Sequence, residues 1–165
     1  MKKTITFFLD SNGTAVQKVR EKTSEFFKLH GLSDKAVHEQ VMIIRELLKA
    51  CGQYSGFNSP QGKRKIQIHI NRNKITVEVS NPINDNQNKQ LQELDKTIQF
   101  IRGYQDPFEA FLKLKAASMN GPDGLLLAKL ACEGKTTLDF YVSEDNIMNL
   151  TAVRIINSQA GNKNP

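Results

Sequence analysis

The chain has 165 residues, with 39% hydrophobic and 24% charged side chains, which fits one folded domain and excludes a disordered chain. Lys and Arg total 23 against 17 Asp and Glu, a net charge of +6 that favours acidic partners without choosing among them. Two cysteines, Cys51 and Cys132, fall in apolar helical patterns and read as buried free thiols; His30, His38 and His69 are too scattered for a zinc motif. Thr4 to Leu9 reads as a strand, and Asp10 to Gly13 as a turn. Helical spacing runs from Thr14 to His30, where Gly31 stops it. Ser33 can cap a second helix, whose core stripe is Val37, Val41, Ile44, Leu48 and Cys51.

Two alternating strands follow, Lys65 to Ile70 and Ile75 to Val79, joined by a turn over Asn71 to Lys74. Asn81-Pro82 is expected to end the second, because proline cannot donate to a ladder. Residues 84–90 are polar. Two amphipathic helices, Gln90–Arg102 and Pro107–Ala117, come next, then a loop at Asn120 to Gly124 and a short apolar helix from Leu125 to Cys132. Thr137 to Val142 and Leu150 to Ile156 read as closing strands about a turn at Ser143 to Asn146. Phe26, Phe27, Phe108 and Phe111 read as core anchors. The expected class is α+β, a two-layer sandwich with a mixed, mostly antiparallel sheet and helices on one face. Residues 1–156 form the domain and 157–165 a polar tail. The basic-then-apolar start breaks at Asp10, too soon for a signal peptide, and no apolar run suits a membrane span, so the expected compartment is the cytoplasm.

Three segments carry possible chemistry. Glu46 is a carboxylate beside the apolar stripe of the second helix, with Lys49 near enough to pair with it across the surface. Asn81 is a polar residue at the end of an apolar strand, where ligand clefts often lie. Gly121 and Gly124 belong to a glycine-bearing loop that runs into a helix, an arrangement whose free N–H groups suit phosphate. No Walker-type phosphate loop is present.

In this order, over residues 4–156, the segments resemble the GHKL superfamily of ATP-binding domains, in particular small anti-sigma-factor-type serine kinases of the SiaB-like kind. Glu46-Leu47 through Tyr54-Ser55 is similar to the N-box, the strand ending at Asn81 to the G1 region, and Gly121-x-x-Gly124-Leu125-x-Leu127 to the G2 region. The resemblance implies a Bergerat-like fold, Glu46 as general base, and Asn81, Gly121 and Gly124 as nucleotide-binding positions. The departures matter more. Ala50 stands where the family has a magnesium-binding asparagine, and a methyl offers no oxygen to a cation that takes oxygen ligands at about 2.0–2.1 Å. Asn81 replaces the adenine-binding aspartate and Pro82 displaces the following glycines. Leu126 replaces a glycine, and Asp123 puts negative charge in the phosphate loop.

Phosphoryl transfer depends on positioning and on metal-borne charge neutralisation. The sequence therefore points to a degenerate regulatory domain that binds a STAS-domain or sigma-factor-like protein, with weak or no ATP turnover and no cofactor expected; ATP with magnesium is the doubtful exception. One alternative is an active ATP-dependent serine kinase of a STAS-domain partner. Another is a nucleic-acid module using Lys63, Arg64, Lys65, Arg72 and Lys74, although this hairpin lacks aromatic stacking residues and suits an acidic protein partner better than nucleic acid. The resemblance also leaves a homodimer open. The two helices within residues 84–118 stand where the family has its nucleotide lid, and either close the pocket or serve a partner.

Overall fold

A computed structural model describes residues 2–9, 14–55, 64–117 and 124–156. The elements are β1 (Lys2–Leu9), α1 (Thr14–Leu29), α2 (Asp34–Ser55), β2 (Arg64–Asn71), β3 (Lys74–Pro82), α3 (Asn88–Arg102), α4 (Pro107–Ala117), α5 (Leu125–Cys132), β4 (Thr137–Val142) and β5 (Ile147–Ile155). A 3-10 turn at Asp85–Gln87 leads into α3, and Asn84 closes a capping box with Gln87 there.

The five strands form one sheet in the order β1-β2-β3-β5-β4. Every pairing is antiparallel, which corrects the expected mixed sheet. The reason is the last hairpin. Helices α3 to α5 carry the chain from β3 to β4, which points the same way as β3, and β5 then turns back between the two. The class is α+β.

Side-chain alternation decides which sheet face is covered. Ile66, Ile68 and Ile70 of β2 lie opposite Val79, Val77 and Ile75 of β3, and all six are buried. Leu150 and Ala152 of β5 continue that face. The other face presents Thr4, Thr6, Gln67, Thr76, Glu78 and Thr151.

The helices cover the apolar face. Helix α1 ends at Gly31, whose φ of 79° is the left-handed value glycine tolerates. There Gly31 N–H donates to the Lys28 carbonyl and Leu32 N–H to that of Phe27, a Schellman closure. Ser33 then caps α2, its Oγ accepting from Ala36 N–H at 3.3 Å. Helix α2 is buried along more than the one expected stripe. Val37, Ile44, Leu48 and Cys51 are inside, and so are Ile43, Leu47, Ala50 and Tyr54, because the sheet, α1 and α5 all pack around it.

The expected strand end holds, and one expectation about the core fails. Asn81 and Pro82 are the last residues of β3, where they pair with Met148 and Ile147 of β5. Pro82 lies two residues past the last β2 pair, so its missing N–H leaves no β2 acceptor unmet. Phe27 is fully buried, but Phe108 is 47% exposed and is no core anchor. In α4 the inward direction belongs to Ala110, Phe111 and Leu114, and Phe108 shares the opposite face with Leu112. Cys51 is buried and Cys132 half-buried, and neither is in a disulfide.

Candidate functional site

Glu46 lies on α2 and is 8% exposed. Its Oε1 accepts from Arg45 Nε at 2.8 Å and from Lys49 Nζ at 3.3 Å. Arg45 Nη2 reaches the same oxygen at 2.8 Å. Burial raises the carboxyl's pKa, but the hydrogen bonds and charges of Arg45 and Lys49 outweigh it and hold Glu46 below the ordinary 4.5. This is a neutralised carboxylate. A base tuned for proton abstraction near neutral pH needs the opposite shift.

Ala50, one turn along the same helix, has no exposed surface. Its methyl is part of the packed interior and has no oxygen to give. Among the described residues, no group of three or more His, Cys, Asp and Glu stands where it could hold a metal. The residues present on α2 therefore do not fit a magnesium–nucleotide held in the way the resemblance implies.

Asn81 sits at the end of the apolar sheet face and is 2% exposed. Arg64, next to the terminal β2–β3 pair of Lys65 and Ser80, offers Nε to Asn81 Oδ1 at 3.5 Å. The position expected from the resemblance to meet adenine and one expected on the basic surface thus touch each other. The hairpin arithmetic could have found this pair: with the turn at Arg72-Asn73 and Asn71 opposite Lys74, counting outward puts Arg64 opposite Asn81.

Gly124 starts α5 with φ 81° and is buried. A Cβ there would lie 2.8 Å from Thr97 Cγ2 of α3. Glycine at this position serves both a left-handed backbone and a close helix–helix approach. Gly121, Asp123 and Lys63 lie outside the described residues. Leu126 is half-buried against the core.

The basic hairpin residues do not form one patch. Arg64 faces the helices and Lys65 the other side of the sheet. Arg72, with φ 53°, and Lys74 are exposed at the turn, roughly 26 Å along the strand from Arg64. That gap exceeds two Debye lengths at physiological salt, so the two ends act as separate charges.

Sequence reasoning missed one ion pair that fixes this side of the fold. Arg154, at the end of β5, pairs with Glu39 of α2. Their separation of more than a hundred residues left no local signal. No helix among the described residues is long and apolar enough to cross a membrane. No family model matches the chain, and no curated protein matches it significantly.

Proposed function

We propose that this chain is a GHKL-like regulatory domain, related in design to anti-sigma-factor serine kinases, that works in the cytoplasm by binding a STAS-domain or sigma-factor-like protein and turns over ATP weakly or not at all. The observation that carries this reading is the condition of α2. The carboxylate at Glu46 is tied up by two cations, and the position of the metal-binding side chain is filled by the buried methyl of Ala50. Phosphoryl transfer without a fixed cation loses its main source of charge neutralisation.

An exposed patch on α4 supports the recognition part of this reading. Phe108 and Leu112 are each 47% exposed, one helical turn apart on α4, with Lys113 and Lys115 exposed on the same helix. An apolar pair flanked by lysines suits a partner whose contact surface is apolar with acidic neighbours. Calorimetric titration with ATP and magnesium, followed by a turnover assay, tests the reading. No magnesium-dependent binding is expected, and micromolar binding with turnover contradicts it.

A further inference from the structure

Helices α1 and α2 pack along one side and leave a cleft of about 280 Å³ between them. Val19, Ile44 and Leu48 are its buried apolar surface, and Val41 and Met42 are partly covered. Thr23 lies among them with no exposed surface, and its buried hydroxyl has no hydrogen-bond partner. Such an orphan in a packed interior requires an explanation, since it forfeits a bond it could make in water.

The rim is different in kind. Arg20, His38 and Arg45 line it, all exposed, and among the described residues no Asp or Glu does. Arg45 gives Nε and Nη2 to Glu46. Arg20 takes part in none of the ion pairs among the described residues, so its guanidinium, a planar fork matched to a carboxylate, is unspent.

We propose that this cleft binds a small amphipathic carboxylate: an unbranched aliphatic acid whose tail lies on Val19, Val41, Ile44 and Leu48 and whose head group is taken by Arg20 at the rim. The volume matches about nine waters, or an aliphatic acid of about ten heavy atoms. An inorganic anion would leave the apolar surface unused, and an aliphatic amine would face the rim cations with like charge. A carboxylate with a tail satisfies both parts at once. Its tail and head-group contacts use none of Glu46, Ala50, Asn81 and Gly124 and none of the α4 surface, so it stands or falls apart from the reading above.

Octanoate, acetate and octylammonium added to the whole chain, followed by backbone amide NMR, test the proposal. Octanoate is expected to give saturable shifts confined to α1 and α2, with acetate and octylammonium giving none. Arg20→Gln, an exposed change that leaves the fold intact, is expected to weaken octanoate about tenfold, the loss of one charge-assisted contact. Val41→Phe is expected to block the tail and abolish the shifts. Octylammonium binding as well as octanoate, undiminished octanoate binding by Arg20→Gln, or no saturable shift with octanoate overturns it.

Discussion

Glu46 carries a carboxylate whose surroundings point one way. Its folded pKa lies below the ordinary 4.5, because Arg45 and Lys49 favour the charged form more than burial disfavours it. A lowered folded pKa means stability that is present above the unfolded value and lost as pH falls through the folded one. Glu46→Gln should therefore cost about 0.5–1 kcal/mol at neutral pH, since both cations are largely solvent-exposed, and the difference should shrink as pH drops below about 4.5. Urea melts of both proteins at stepped pH check this; a difference that grows on acidification contradicts it. Gly124 gives a second prediction at this scale. Gly124→Ala should destabilise by about 2–4 kcal/mol, from the left-handed backbone and from the approach to Thr97. Adding Thr97→Ser removes Cγ2 and should recover part of the loss but not the backbone share. Neither role of Gly124 was legible in the sequence. A glycine before a helix looks the same whether it admits a phosphate or a neighbouring helix, and only the packing of α3 tells them apart.

Helices α3 and α4 were both legible as helices, with α4 found at the expected Pro107–Ala117. Their burial was not. In α3 the apolar residues Leu94, Ile98 and Ile101 fall on one stripe, and that stripe is buried. In α4 the apolar residues spread around the helix, so periodicity cannot say which side faces in, and only Ala110 is fully buried. Leu94→Ala should thus cost about 3 kcal/mol, while Phe108→Ser or Leu112→Ser should change stability by less than about 0.5 kcal/mol. The chemical-denaturation midpoints of the three variants separate these cases. If Phe108→Ser proves as damaging as Leu94→Ala, α4 is a core helix and its outer face is no partner surface. The strands show the same division. The alternation of Ile66, Ile68 and Ile70 with Ile75, Val77 and Val79 was enough to pair β2 with β3, and the register then follows from the turn. Placing β5 between β3 and β4 needed long-range pairing that no local pattern encodes.

At the scale of the whole molecule, the charge excess resolves into separate places. Arg64 is drawn to Asn81 inside the helix-covered side, Arg154 to Glu39, and Arg45 and Lys49 to Glu46. Arg72 and Lys74 stand at the far end of the β2-β3 hairpin. Among the described residues, these particular cations do not stand in line along one face, as contact with a phosphate backbone would ask of them. The α+β class was readable from the order of elements, but the fully antiparallel sheet was not, because β3 and β4 share a direction without touching. On the function proposed above, the domain serves recognition and lacks the fixed metal on which nucleotide chemistry depends. Titration of the full chain with ATP, with and without magnesium, tests it most directly. The account predicts that magnesium adds nothing to any heat observed and that no ADP forms; micromolar magnesium-dependent binding with turnover would contradict it.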